Sequence, residues 1–342
     1  MKIAIGQIIQ PGPFGGGNSL ALSFRRLFTQ AGHAVVFDLE DGDIDIIMIT
    51  DPRSRSPNVA FSAGAAWRYL ARRNPRALVV QLIQDCDERK GTRAMNRRQR
   101  IANYCADHAV AVGGWMLELD LVRPENRGRF TAILNGGRGD IFHADGHGDW
   151  DGHEPLRLIT HHWSGHRMKG FDVYARIDAM LDEPQWRDRI AFTYIGGKPP
   201  DFSFRRARYL PPLNGDALAD ELRASHVYIT ASINEPAGLH HIEGALCGLP
   251  ILYRRSGGLA EYCDGFGISF DGPDDVEAAL ETMLSDYDRW RRALARYERH
   301  EGRMCRDYLE LFDGLLARRD EIAEARRPWR NPFLVMLNQL PI

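Results

Sequence analysis

Hydrophobic positions along this chain fall into two alternating patterns. Short continuous apolar runs rich in β-branched residues read as buried strands. Between them lie stretches whose apolar positions recur at helical spacing. The first part predicts strands at Lys2–Ile9, His33–Leu39, Ile44–Thr50, Ala77–Gln84, His108–Val112 and Phe130–Leu134. Helices fall between them at Asn18–Ala31, Phe61–Arg73 and Arg93–Ala106. A second series has strands at Leu156–His161, Ile190–Ile195, His226–Thr230, Pro250–Tyr253 and Gly267–Phe270. Its helices are Lys169–Leu181, Asp216–Ala224, one opening at Gly238, a short one at Gly258–Tyr262, and further helices from Asp274 to about Ala325. Alternation of this kind implies parallel sheets covered on both faces, so the fold class is α/β.

Between the two series the pattern breaks. Gly136–Pro155 holds six Gly, four Asp and three His, the composition of a linker. The expected organisation is a first domain over 1–150, a second over 151–325, and an apolar tail, 326–342, packing back on the first. The length of 342 residues suits two such cores. Ligands of open α/β sheets bind beyond the C-terminal strand ends. Two such domains facing each other would make a cleft.

Charge and cysteine content narrow the chemistry. A formal net charge of −2 argues against a general nucleic-acid binder. Residues 1–140 carry 19 Lys+Arg against 14 Asp+Glu, and the remainder 25 against 32. A basic first half would attract an anionic acceptor or a membrane surface. The five cysteines contain no C-x-x-C pair, which fits reduced, buried thiols in a cytosol. No stretch approaches the ~20 apolar residues that span a bilayer. The start of the chain reads as a first strand, not a signal peptide. A cytoplasmic protein is expected, with peripheral association at the inner membrane face if the acceptor lies there.

The most informative stretch is Glu235-Pro-Ala-Gly-Leu-His-His-Ile-Glu243, continuing to Pro250. It joins a strand to a helix through a small-residue turn and carries two acids eight positions apart. Backbone amides at such a helix start seat an anion such as a diphosphate. Glu243 falls to one side of the apolar stripe and should be half-buried, where sugar hydroxyls would satisfy its carboxylate. The bland alternative is a capped helix with a surface glutamate. Gly12–Asn18 joins the first strand and helix, and its three consecutive glycines allow close backbone approach to a ligand. Asn18 or Ser19 would cap that helix. In Leu156–Gly170, Arg167 and Lys169 stand after a strand as cations able to neutralise a leaving diphosphate. Asp85-Cys-Asp87 follows a strand and has a divalent-metal reading through a D-x-D pair. Glu88, Arg89 and Lys90 beside it equally suit a solvated charge cluster. Six histidines between His143 and His166 carry no recognised zinc spacing.

Together these pieces resemble the GT-B glycosyltransferases, specifically the retaining family 4 group of bacterial glycosyl transferases group 1. The E-x7-E block Glu235–Glu243, Gly248-Leu-Pro250 and Ser256-Gly-Gly-Leu-Ala-Glu261 carry the resemblance, with the glycine loop, Ile133–Gly137, Lys169-Gly170 and Leu210–Asp216 in support. The resemblance implies two doubly wound Rossmann-like domains and transfer of a sugar from a UDP-, GDP- or similar nucleotide-sugar donor, without metal or other cofactor. The acceptor would be a glycan or lipid-linked hydroxyl, as in polysaccharide biosynthesis. It implies catalytic roles for Glu235, Lys169, Arg167 and Asp85. Glu235 would contact the donor sugar and Glu243 the ribose. Gly16, Gly17, Ser164, Asn214, Ala237, Gly238, Leu239 and His240 would complete donor binding. Asp87, Arg89 and Lys90 would face the acceptor. Two positions depart from the family pattern. Ser164 stands where an arginine is usual, with Arg167 as a substitute, and Gln81 where many members have a histidine. A non-catalytic GT-B relative, a nucleotide-sugar epimerase or phosphorylase, and a metal-dependent enzyme using Asp85 and Asp87 are the competing readings.

Overall fold

The computed structural model describes residues 1–10, 15–53, 55–331, 333, 335 and 336. Part of the glycine loop, 11–14, lies outside them. The chain divides into two compact units, Met1–Leu134 with the described residues from Gly302 onward, and Asn135–Glu301.

The first unit begins β1 (Lys2–Ile5), α1 (Gly16–Gln30), β2 (Ala34–Val36), β3 (Ile46–Ile49), α2 (Ala63–Arg72) and β4 (Leu78–Ile83). It continues α3 (Asp87–Lys90), α4 (Met95–Asn103), β5 (His108–Ala111) and β6 (Phe130–Ala132). All strands are parallel, in the order β2-β1-β3-β4-β5-β6. Strands β3 and β4 are buried at every position, as strands covered on both faces must be.

The second unit runs β7 (Leu156–His162), α5 (Phe171–Met180), β8 (Ile190–Gly196), β9 (Arg208–Leu210), α6 (Gly215–Arg223), β10 (Val227–Thr230) and α7 (His240–Leu246). It ends β11 (Ile251–Arg254), α8 (Leu259–Cys263), β12 (Gly267–Phe270) and α9 (Val276–Ala293). Its parallel sheet has the order β12-β11-β10-β7-β8-β9, the doubly wound arrangement whose strand order reverses between β7 and β10. Trp186, Tyr174, Phe270 and Met283 are fully buried in its core. Each such side chain contributes about 1.5–3 kcal/mol through apolar burial.

After Glu301 the chain returns to the first unit through α10 (Glu301–Ala317), α11 (Arg319–Glu324) and α12 (Arg327–Arg330). Tyr308 packs on Phe24 at 4.8 Å and Phe312 on Phe28 at 6.0 Å. These are two i, i+4 pairs meeting row against row. Arg326 buries its guanidinium on Asp107 at 2.9 Å, and the Trp329 ring packs at a tilt against Trp67 at 4.3 Å.

Two boundaries differ from the sequence expectation. The second unit starts at Asn135, not 151, because the glycine-rich segment packs onto it. The Gly137 amide donates to the Arg299 carbonyl, and the Glu301 amide to that of Gly137, each at 2.9 Å. Further on, Trp150 lies against Tyr287. The return to the first unit begins at Gly302, not 326, because α10 carries the aromatic row that meets α1. Strand β9 was missed: Arg208-Tyr-Leu210 is a short, solvent-facing edge strand with no apolar run to mark it.

Candidate functional site

The reversal of strand order puts a crevice beyond the C-terminal ends of β7 and β10. The loops leaving those two strands carry Lys169 and Glu235. Arg167–Lys169 forms one tight turn ending at Gly170, whose φ of 89° is left-handed. A Cβ there would lie 2.1 Å from the Ala231 carbonyl oxygen, so only glycine lets this loop approach β10. The Ile233 amide donates to the Met168 carbonyl at 2.8 Å and ties the two loops together. Held this way, Lys169 Nζ lies 3.0 Å from Glu235 Oε2, with both side chains largely buried.

The Glu235 backbone is pinned from the other side. Asn234 takes a left-handed φ of 48°, and its amide donates to Ser256 Oγ at 2.9 Å. The Gly258 amide donates to the Glu235 carbonyl at 2.8 Å. Gly257, at φ 62°, would place a Cβ 2.6 Å from the Glu235 amide nitrogen and carbonyl oxygen. The Ser256-Gly-Gly triplet therefore acts as a clamp on the glutamate. Gly238, at φ 64°, turns the chain toward α7. That helix spans seven residues, so its dipole is small.

One turn into α7, Glu243 Oε2 accepts from His161 Nε2 at 2.8 Å. Tyr228 Oη lies 3.2 Å from His161 Nδ1. Donation from the tyrosine to Nδ1 leaves the imidazole proton on Nε2, facing the carboxylate. Glu243 is half-buried. His240 bonds Thr230 Oγ1 at 2.9 Å, and His162 bonds Tyr174 Oη at 2.7 Å. Burial drives the pKa of His240 well below the ordinary value and that of His241 down to about 3, and it raises that of Tyr174. Both nitrogens of His241 lack hydrogen-bond partners among the described residues. These rings give the site neutral, polarisable walls around the Lys169–Glu235 ion pair and the His161–Glu243 hydrogen bond.

Other expected residues fall elsewhere. Arg167 turns away from Lys169 and pairs with Asp201, both exposed. Ser164 and Asn214 are exposed, and Asn214 starts α6 without a side-chain cap. In the first unit, Gly16 and Gly17 open α1. Neither Asn18 nor Ser19 caps that helix, since it begins at Gly16. The Asn18 side chain instead exchanges two hydrogen bonds with the Gln10 backbone. Gln81 is not at a strand end. It lies buried within β4, bonded to Gln99 of α4. The residue that leaves the strand is Gln84, whose amide holds the Thr50 carbonyl and lies against Gly17. Burial lifts the Asp85 carboxyl above the usual range despite Lys90 at 2.7 Å. Asp87 caps α4 by accepting from the Met95 and Asn96 amides at 2.7 and 3.1 Å, which occupies the carboxylate that a D-x-D reading would give to a metal. Arg89 is buried. Among the described residues no group of three or more His, Cys, Asp or Glu is placed to hold a metal ion, and no helix is long and apolar enough to cross a membrane.

His161, Asn234, Ser256 and Gln84 were not singled out as site residues. The adjacent pair His161–His162 at the end of an apolar strand was the available signal, because a strand interior seldom carries two imidazoles without bonding partners.

This architecture is the GT-B fold. The catalytic domain of starch synthase IV from Arabidopsis thaliana superposes with a TM-score of 0.70 at 14% identity, covering 93% of this chain and 99% of that one. HepE of Anabaena, solved with UDP, gives 0.67 at 13% identity, covering 92% and 100%. Residues 206–301 match the family model described as Glycosyl transferases group 1. The D-inositol 3-phosphate glycosyltransferase of Nocardiopsis dassonvillei is 33% identical over 150 residues, 38% of this chain and 35% of that protein. Its counterpart in Thermobifida fusca is 30% identical over 183 residues, 47% and 42%. The matched stretch thus spans well under half the length of these relatives.

Proposed function

We propose that this protein transfers a sugar from a nucleotide-sugar donor to an acceptor hydroxyl, with retention of anomeric configuration and without a metal ion. The observation that carries the reading is the buried Lys169–Glu235 pair beyond the ends of β7 and β10. Lys169 would meet the diphosphate as its bond to the sugar breaks, and Glu235 would turn to the sugar hydroxyls. Glu243, oriented by His161, would accept from the ribose. Stabilising the departing diphosphate is then the main catalytic term. HepE, solved with UDP-glucose, and starch synthase IV, solved with ADP, support a nucleoside diphosphate in a fold of this kind. A glycan or lipid-linked acceptor remains the first class to try, with peripheral membrane association if it is lipid-linked. The names of the sequence relatives add inositol 3-phosphate. One observation favours a second reading, a donor-binding relative without activity: the exposed Ser164 supplies no cation where the family pattern has an arginine.

Calorimetric titration with UDP, GDP and ADP, with and without EDTA, tests the proposal. Metal-independent micromolar binding of one nucleotide, weakened at least tenfold by Glu243→Ala, is the expected result. Proton NMR of the product then reads the anomeric configuration. No binding to any of the three would shift the reading to the non-catalytic relative.

A further inference from the structure

The first unit holds a cavity of about 550 Å³ that the donor chemistry does not use. One wall is a single face of α4, where Arg97, Arg100, Ile101 and Tyr104 follow at i, i+3, i+4 and i+7. The facing wall carries Leu121, Arg123 and Phe130. Phe130 opens β6 and Tyr104 ends the helix that feeds β5. The cavity therefore lies where strands start, at the opposite end of the sheet from Gly17, Gln84 and Asp85.

Arg327 reaches into this space from α12. Its guanidinium bonds Asn103 and the Asn126 side chain and lies over the Tyr104 ring at 5.4 Å. It makes no ion pair among the described residues, its Nε has no hydrogen-bond partner, and burial pushes its pKa down to about 10. Beside it Asn103, only 5% exposed, has an Nδ2 with no hydrogen-bond partner among the described residues. Two buried donors thus lack acceptors on residues that line one cavity, and leaving them so costs free energy. Of the three remaining arginines, Arg100 is bound by Asp120, while Arg123 stands 4.0 Å from Glu125, the one acid in the lining. The cavity is cationic at its rim and apolar along Ile101, Leu121 and Phe130.

We infer that this cavity is a second ligand site, separate from the donor site, for a small amphiphilic anion whose phosphate or carboxylate meets Arg327 and Asn103 while its apolar part lies on Ile101, Leu121 and Phe130. A volume of this size suits a small-molecule site.

The test is calorimetric titration of the full chain with n-octyl phosphate below its micellar concentration, alone and with UDP present. Binding that UDP does not displace, and that Arg97→Glu/Arg123→Glu weakens about tenfold or more, is expected. Both side chains are exposed and outside the donor site, so this variant should fold; circular dichroism checks that it does. Ile101→Glu provides a second, apolar-side loss. Sedimentation with phosphatidylcholine vesicles containing phosphatidic acid separates the sources. Octyl phosphate binding with co-sedimentation assigns a lipid headgroup, and binding without it a soluble ligand. No octyl phosphate binding, binding unchanged in the variants, displacement by UDP, or vesicle binding alone would overturn the inference.

Discussion

Lys169 and Glu235 are brought to 3.0 Å across the loops that leave two neighbouring strands, and both side chains are largely buried. Breaking a buried pair from one side leaves a charge uncompensated, which costs up to about 3–5 kcal/mol, whereas removing both charges costs less. Lys169→Met should therefore lower the unfolding midpoint more than Lys169→Met/Glu235→Gln. Both should reduce the proposed sugar transfer by about 10²–10³-fold, since in that reaction the lysine would meet charge that develops in the transition state. Denaturant titration and initial rates together check this.

In the proposed function His161 would act on the ribose through Glu243, whose Oε2 lies 2.8 Å from its Nε2. His161→Phe is expected to weaken UDP or its equivalent about tenfold, roughly 1.4 kcal/mol. Binding of inorganic diphosphate, which has no ribose, should not change. His161→Gln, which keeps an N–H donor, should recover part of the loss. Equal weakening of both ligands would show that the histidine only supports the fold.

Gly257 and Gly265 both have left-handed φ, at 62° and 84°, but only Gly257 faces the Glu235 backbone, while nothing lies within 4 Å of Gly265. Alanine at Gly265 should cost about 1–2 kcal/mol from conformation alone. Gly257→Ala should cost more and lower activity as well. Calorimetric Tm values for the two variants make the comparison, with about 2–4 °C per kcal/mol expected at this size.

His241 is buried with no hydrogen-bond partner among the described residues, and burial takes its pKa down to about 3 against an ordinary 6.5. The unfolded chain binds a proton below about pH 6.5 that the folded chain refuses until near pH 3. Stability is therefore full above that range and falls as the pH drops through it, by up to about 1.4 kcal/mol per pH unit for this residue. His241→Phe should flatten the acid limb of a denaturation-midpoint profile between pH 7 and pH 5. An unchanged slope would remove His241 from the account.

Asp87→Ala should cost about 1–2 kcal/mol through loss of the α4 cap, while Asp87→Asn, which keeps an acceptor oxygen, should cost less. Addition of manganese should not change the midpoint of the wild-type chain if the carboxylate is occupied as described.

Much of this was readable beforehand, and the parts that were not share a cause. Leu78–Ile83 and Ile46–Ile49 announce themselves as apolar runs rich in β-branched residues. The glutamates eight apart stood out in a strand–turn–helix stretch, and the roles proposed for them came from the family resemblance. What spacing does not carry is which side chain meets which across 66 or 82 positions, as in Lys169–Glu235 and His161–Glu243. Arg167 illustrates the same limit. Its neighbour Lys169 turns into the site, and a tight turn sends Arg167 to Asp201. Likewise Asp87 reads as a candidate ligand in one dimension and serves as a helix cap in three.

The aromatic row of α10 has a consequence for biosynthesis. A ribosome delivers Met1–Leu134 first, yet the partners of Phe24 and Phe28, Tyr308 and Phe312, emerge only after the whole of Asn135–Glu301. The unit made second can close its core first. The unit made first must wait with its α1 aromatics uncovered, and in that interval a chaperone has something to hold.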